Sequence, residues 1–174
     1  MKRRSVIASM IGAGAWLGAC TAGTADPADG HGTLARWPIL PVIDLKHQQT
    51  TLPATSGGPR IFNVWALWCP PCRRELPGLQ RLANSLATRG VDLCALALAD
   101  DSFAVREYLA QHAPQLWGAL LSPRAPAAQQ LGLKVLPQTF IVAADGRVLA
   151  RWVGEREWDS PAVRQALNTL LRSG

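Results

Sequence analysis

Apolar residues in this chain follow two alternating patterns from Trp37 onward. Largely apolar runs of strand length occur at residues 61–67, 91–98, 117–121, 140–143 and 148–153. Other stretches repeat apolar residues at the three- and four-residue spacing of one helix face, as in Leu76, Leu79, Leu82, Ala83 and Leu86. This alternation, without an internal repeat, predicts an α/β fold with a central mixed β-sheet flanked by helices on both faces.

Capping and turn residues mark the ends of the predicted elements. Gly90 ends the first helix, Asp101 caps the second, and Ser122-Pro123 opens a short helix that Gly132 closes. Asp145-Gly146 lies between the last two strands and predicts a tight hairpin, because such a dipeptide supplies positive φ angles. Ser160-Pro161 then begins a final amphipathic helix.

The segment Trp68-Cys69-Pro70-Pro71-Cys72 carries the strongest chemical signal. It follows a buried strand and begins a helix, where unpaired N–H groups and the helix dipole favour a thiolate. We therefore expect an exposed Cys69 and a Cys72 one turn further on, close enough to form a disulfide. The same spacing occurs in half of a zinc site, but a structural zinc site needs further Cys or His ligands, and no second pair exists here.

The other two cysteines lie in different contexts. Cys94 belongs to an apolar strand, so we interpret it as a core thiol rather than a redox group. Cys20 follows an uncharged stretch, residues 5–19, that three basic residues precede, which predicts an export signal too short for a permanent transmembrane helix. Leu17-Gly18-Ala19-Cys20 resembles a lipoprotein cleavage site that would leave Cys20 lipidated. Ordinary cleavage near Ala25 is the alternative.

Composition sets the domain boundaries and limits the partners. The formal charge is +6, but without Lys2, Arg3 and Arg4 fifteen basic side chains face twelve acidic ones, leaving +3. This dispersed excess is not the basic stripe of a nucleic-acid-binding protein. We predict a signal peptide at residues 1–19, a flexible tether at 20–36, and one domain at 37–174 that acts as a monomer.

Two sequence blocks resemble the thioredoxin superfamily, and within it the exported TlpA/ResA-like thiol–disulfide oxidoreductases. Residues 63–77, Asn-Val-Trp-Ala-Leu-Trp-Cys-Pro-Pro-Cys-Arg-Arg-Glu-Leu-Pro, are similar to the family's active-site block. Residues 135–142, Val-Leu-Pro-Gln-Thr-Phe-Ile-Val, are similar to its cis-proline strand. The resemblance implies a thioredoxin-like fold and a cis Leu136–Pro137 peptide beside the dithiol, where the Leu136 backbone can pair with a client chain. An ordinary trans proline is the general alternative.

The chain departs from the family pattern at two places, Asn63 and the stretch before the cis-proline strand. Asn63 stands where thioredoxins carry a buried aspartate that moves a proton. Glu75 matches the acid of the TlpA/ResA-like pattern and is our candidate proton-handling group, with a solvated helix-start glutamate as the alternative. The Gly-Val-x-Gly-x-Pro-Glu stretch of cytochrome-c-maturation members is absent before the cis-proline strand, which leaves a part in cytochrome c biogenesis undecided.

The resemblance implies an enzyme that reduces disulfides in exported client proteins, without a cofactor, outside the cytoplasm (the periplasm in a Gram-negative cell). Cys69 attacks, Cys72 resolves, and an inner-membrane electron donor regenerates the pair. We expect Trp68 to shield the dithiol or to be a core aromatic, and Pro70 and Pro71 to stiffen the loop. The alternatives are a disulfide-forming oxidase and a Cu(I) delivery protein that uses both thiolates, although His31, His47 and His112 lie outside the two blocks.

Overall fold

The computed structural model describes residues 34–52, 57–99, 101–122 and 126–173, which form seven strands and four helices. In chain order they are β1 (Leu40–Asp44), β2 (Gln49–Leu52), β3 (Arg60–Trp65), α1 (Pro70–Ala87), β4 (Asp92–Leu98), α2 (Ser102–His112), β5 (Gly118–Leu121), α3 (Pro126–Gln130), β6 (Gln138–Val142), β7 (Val148–Val153) and α4 (Pro161–Ser173).

The seven strands form one mixed sheet in the order β2-β1-β5-β4-β3-β6-β7. Strands β3, β4 and β5 are parallel, and the remaining pairings are antiparallel. Since β3 lies between β4 and β6, its carboxyl end opens near the middle of the sheet. The residues that follow β3 therefore start from a rigid, fully paired strand.

Two apolar cores cover the two faces of the sheet. Alternate residues of β3 enter each core, Ile61 and Trp65 on one face and Phe62 and Val64 on the other. The first core packs against α1, α2 and α4, and the second against α3 and Trp37. Helices therefore lie on both faces, as the sequence predicts.

Of the predicted capping and turn residues, Asp101 and Gly146 are confirmed. Asp101 is the N-cap of α2 and accepts a hydrogen bond from the Ala104 N–H at 3.0 Å. Gly146 has a φ of 87° in the turn between β6 and β7, where a β-carbon would be strained. The short helix begins at Pro126, and residues 123–125, including Pro123, lie outside the described residues.

The N-terminal part of the domain contains a hairpin that the sequence analysis did not predict. Strands β1 and β2 pair antiparallel, and β1 also pairs with β5, so this hairpin forms one edge of the sheet. The signal peptide, Cys20 and the tether up to residue 33 lie outside the described residues. Arg36, which we assigned to the tether, forms a bridge with Arg147 and donates a hydrogen bond to the Asp145 carbonyl. None of the described helices has the length and apolar character needed to cross a membrane.

Candidate active site

Cys69 and Cys72 form a disulfide at the start of α1, with their Cα atoms 5.4 Å apart. Cys69 is the N-cap of the helix, and its sulfur accepts a hydrogen bond from the Cys72 N–H at 3.4 Å. Pro70 and Pro71 occupy the first helical positions, where the absence of an N–H leaves no helical hydrogen bond unmade. The strand–helix junction therefore brings the two sulfurs close enough to form a disulfide, as the sequence predicts.

The expected exposure of Cys69 is wrong for this disulfide-bonded state. Cys69 is 4% exposed and Cys72 is fully buried, so both belong to the first core. The N-cap position brings the Cys69 sulfur back over the first turn, where it faces a backbone N–H rather than solvent.

Trp68 and Pro70 flank Cys69 in the sequence. The Trp68 residue is 71% exposed, which excludes the interpretation of Trp68 as a core aromatic. Pro70 is exposed and Pro71 is half-buried. These three side chains give the surface next to the disulfide a largely apolar character.

The segment before β6 contains the expected cis peptide bond between Leu136 and Pro137. Gln138 of β6 lies opposite Val64 of β3, so Pro137 lies level with the end of β3 that leads to the cysteines. The Gln138 amide donates to the Val135 carbonyl at 2.9 Å and accepts two hydrogen bonds from Arg151 at 2.6 and 2.9 Å. These bonds hold the cis-proline segment from both sides.

Glu75 lies one turn after Cys72, on the same side of α1, and is 4% exposed. Its Oε1 accepts a hydrogen bond from Asn63 Nδ2 at 2.8 Å. Its Oε2 accepts two more at 3.1 Å, from the backbone N–H of Arg156 and from the indole N–H of Trp158. The interpretation of Glu75 as a solvated helix-start glutamate is therefore wrong.

Burial determines the ionisation of this carboxyl group. Desolvation raises the pKa of Glu75 from 4.5 to about 7, while the hydrogen bonds from Asn63, Arg156 and Trp158 act in the opposite direction. The nearby Glu155 carboxylate raises this pKa a little further. Near neutral pH the group is therefore divided between an acid and a base, which suits proton exchange with a thiol.

Asn63 links Glu75 to the neighbouring strand. Besides Glu75, its Nδ2 donates to Thr139 Oγ1 of β6 at 3.0 Å. Its Oδ1 is buried and has no hydrogen-bond partner among the described residues. Asn63 thus occupies the position of the thioredoxin aspartate as a neutral group that orients Glu75.

The remaining candidate groups lie apart from this site. Cys94 is a free, fully buried thiol of the second core, and burial raises its pKa well above the ordinary value. Within the described ranges, no group of three or more His, Cys, Asp or Glu side chains could hold a metal ion. A copper site at Cys69 and Cys72 would thus lack a third ligand from these residue types in the described part of the chain.

The sequence predicts the two cysteines, Glu75 and the cis-proline segment, which the structure brings together at the carboxyl end of β3. The sequence does not predict that Arg156 and Trp158 bind the buried acid or that Thr139 binds Asn63. The available signals were weak: Trp158 is a lone aromatic in a polar segment, and Asn63 is a lone polar residue in an apolar strand. A buried polar residue needs a partner, but the sequence does not identify it.

Comparisons with known proteins agree with this geometry. The family profile described as Redoxin matches residues 21–170. A thiol:disulfide interchange protein DsbE homolog from Paracoccus denitrificans is 36% identical over 109 residues, covering 63% of this chain and 58% of that protein. The thiol:disulfide interchange protein CycY of Rhizobium leguminosarum bv. viciae is 30% identical over 146 residues, covering 80% and 73% of the two chains.

A solved structure supports the fold independently. The thioredoxin domain of a thiol-disulfide oxidoreductase from Bacteroides vulgatus superimposes with a TM-score of 0.68 at 16% identity, covering 82% of this chain and 99% of that one. Together, the profile match, the relatives and the dithiol at the start of α1 show that this chain belongs to the Redoxin family, as a thiol–disulfide oxidoreductase with a thioredoxin-like fold.

Proposed function

We propose that this protein is exported, remains tethered to the membrane, and reduces disulfide bonds in exported client proteins. The observation that carries the proposal is the combination of the Cys69–Cys72 pair with the buried Glu75 carboxyl group one helical turn away. This arrangement supplies a nucleophile, a resolving thiol and a group that can accept a proton near neutral pH.

The first step forms a mixed disulfide. In the reduced protein, the Cys69 thiolate attacks one sulfur of the client disulfide, the client S–S bond breaks, and the second client sulfur leaves as a thiolate that takes up a proton. The N-cap position supports this role, because the Cys72 N–H, which donates to the Cys69 sulfur, and the positive end of the helix dipole stabilise negative charge on that sulfur. Pro70 and Pro71 fix the loop between the two sulfurs.

The second step releases the client. Cys72 loses its proton to Glu75 and attacks the Cys69 sulfur, and the remaining client sulfur leaves as a thiol after protonation. The client has then gained two electrons and two protons, and the protein carries the Cys69–Cys72 disulfide. Glu75 is suited to this transfer because its pKa of about 7 leaves a large fraction ionised at neutral pH.

The client chain binds across the apolar surface beside the sulfurs. Trp68 supplies an exposed aromatic face, and Leu136 offers its backbone to an extended client segment. Pro137 has no N–H, so it presents no unpaired donor to the client or to the sulfurs. The bonds from Arg151 through Gln138 keep this segment in one conformation.

The carboxyl group also supports the reducing direction. A strongly oxidising dithiol protein is one whose reduced, thiolate-bearing form is stabilised. A carboxylate beside the pair disfavours a thiolate and so does not stabilise the reduced form. An oxidase with the same residues is the competing function, and the reduction potential distinguishes the two.

Repeated turnover requires a source of electrons and a location outside the cytoplasm. We infer that a dithiol of an inner-membrane electron donor reduces the Cys69–Cys72 bond by the reverse exchange. The proposed arrangement is a signal at residues 1–19, lipid attachment at Cys20, a tether that ends before Leu34, and a catalytic domain that includes residues 34–36, because Ala35 and Arg36 bond to β7 and to the turn before it. The basic n-region and the segment Leu17-Gly18-Ala19-Cys20 support it.

Trapping of mixed disulfides tests the assignment of the cysteines. The Cys72→Ser protein should accumulate disulfide-linked clients through Cys69, and Cys69→Ser should not. Cys94→Ala provides the matched control, since that thiol is buried in the other core. Equal trapping by both variants, or by neither, contradicts the assigned roles. Equilibration of the purified domain with glutathione then gives the reduction potential, and a value near that of strong oxidants would favour the oxidase.

A further inference from the structure

The loop between β7 and α4, residues 155–159, lies along one face of α1. Arg74 forms a double hydrogen bond with Glu155, at 2.6 and 3.0 Å. One turn and two turns further along α1, Gly78 faces Trp158 and Arg81 contacts Asp159. Because residues 74, 78 and 81 lie on one helical stripe, the loop is fixed at three levels along the helix.

Trp158 occupies the central level of this contact and is 1% exposed. A β-carbon added at Gly78 would lie 3.5 Å from the Trp158 Cβ and 3.6 Å from its Cδ1, so the indole rests directly on the glycine. From this position the indole Nε1 reaches Glu75 Oε2 at 3.1 Å. The adjacent Arg156 N–H binds the same oxygen at the same distance.

The two oxygens of Glu75 are thus held by different parts of the chain. Asn63 on β3 binds Oε1, whereas both donors to Oε2 come from the 155–159 loop. The groove between this loop and α1 has a volume of about 520 Å³, and Glu75 is among its lining residues. Oε2 is therefore the oxygen whose surroundings depend on the loop.

We propose that Trp158 is a positioning residue of the redox site, which holds the Glu75 carboxyl group from the 155–159 loop and thereby sets its readiness to take the Cys72 proton. This inference rests on the proposed role of Glu75. Trp158 itself contacts neither sulfur in the proposed steps. It acts through the acid, by donating one hydrogen bond that favours the ionised form of the carboxyl group.

Besides the indole, several charged groups lie near Glu75 and act on its ionisation. The charged or titratable groups are Arg74 and Arg81 on α1, Glu155, Arg156, Glu157 and Asp159 on the loop, and the two cysteine sulfurs. Strands β3 and β6 contribute the neutral Asn63 and Thr139. Glu155 and Asp159 are each paired with an arginine of α1. Trp158→Phe changes none of these charges.

The test uses the oxidised protein, in which neither active-site thiol titrates. The Glu75 carboxyl carbon and the Trp158 indole N–H are followed by NMR between pH 5 and 9 (a range about two units either side of the expected midpoint). Both signals should titrate with one midpoint, near the Glu75 pKa of about 7. An indole signal that stays flat while Glu75 titrates overturns the proposal, and this measurement needs no variant.

Trp158→Phe removes the donor and keeps an aromatic ring. The ionised carboxyl group loses a hydrogen bond that lowers its pKa. The titration midpoint of Glu75 should therefore rise by about one pH unit, which is a tenfold change in its acid dissociation constant. Trp37→Phe is the matched control, because Trp37 is also buried and its Nε1 has no partner among the described residues. That variant should leave the midpoint unchanged. An unmoved midpoint in Trp158→Phe overturns the proposal.

The pH dependence of client reduction separates this proposal from the function on which it rests. In Trp158→Phe the part of the pH–rate profile that depends on Glu75 should shift to higher pH, by the same amount as the NMR midpoint. If the NMR midpoint moves and the rate profile does not, Glu75 does not take the Cys72 proton. The proposed proton role is then wrong, and the claim that Trp158 acts on the reaction falls with it.

Discussion

The buried carboxyl group of Glu75 should make the stability of the fold depend on pH in a way that Glu75→Gln abolishes. The pKa of Glu75 rises from 4.5 to about 7 on burial. Between these two values the folded protein keeps a proton that the unfolded chain has released, so raising the pH favours unfolding. The stability from this group is fully present below about 4.5 and is lost as the pH rises through about 7.

The magnitude follows from the difference between the two pKa values. Each pKa unit corresponds to 1.36 kcal/mol, so the free energy of unfolding should fall by about 3 kcal/mol over this range. Glutamine is a suitable replacement, because its NH₂ group needs an acceptor and Asn63 Oδ1 has no partner among the described residues. A turn of the Asn63 amide would bring that oxygen to the glutamine.

Urea unfolding of the oxidised protein at pH 4 to 8 (spanning both pKa values) measures this effect. The difference in unfolding free energy between the parent and Glu75→Gln should change by about 3 kcal/mol across the range, since the other titrating groups are common to both. Glu107→Gln, at an exposed position of α2, controls for the loss of one carboxylate. Parallel curves for the parent and Glu75→Gln would refute the raised pKa and leave Glu75 without a proton role near neutral pH.

Three further predictions concern other parts of the chain. Cys94→Ala should keep full activity, and Cys94 should not react with iodoacetamide in the native oxidised protein, because it is fully buried. Cys20→Ser should release the protein from membranes or block its processing; mass spectrometry of the mature parent protein that shows an unmodified N-terminus near Asp26 would contradict the lipid anchor. Asp101→Ala should lower the unfolding free energy by about 1 kcal/mol in urea titrations, because it removes the cap of α2; an unchanged midpoint would show that the cap is not needed.

The sequence predicted the centre of the fold better than its edge. The strands at 60–65 and 92–98 are fully buried over most of their length, and such strands appear as continuous apolar runs. The β1–β2 hairpin is different, because β2 is a short edge strand with Gln49, Thr50 and Thr51 exposed. Its turn places His47 at a φ of 64° without the glycine or asparagine that usually marks such a position.

Some features of the site could likewise be predicted from the sequence, and others could not. The dithiol and Glu75 are close in sequence, so helix geometry alone predicts that they share one side of α1. The depth of Cys69 could not be predicted, because it depends on how the surrounding core closes over the disulfide. The contacts of Arg156 and Trp158 with Glu75 depend on the packing of the loop between β7 and α4 against α1, and no local pattern in residues 154–159 indicates them.

The distance along the chain between Glu75 and its indole partner has a consequence for biosynthesis. The two residues are 83 positions apart, and the Arg156 N–H is 81 positions from the same oxygen. A chain made from its N-terminus therefore contains both active-site thiols well before it contains the loop that holds their acid. Until that loop is made, the Glu75 carboxyl group lacks both donors to its Oε2.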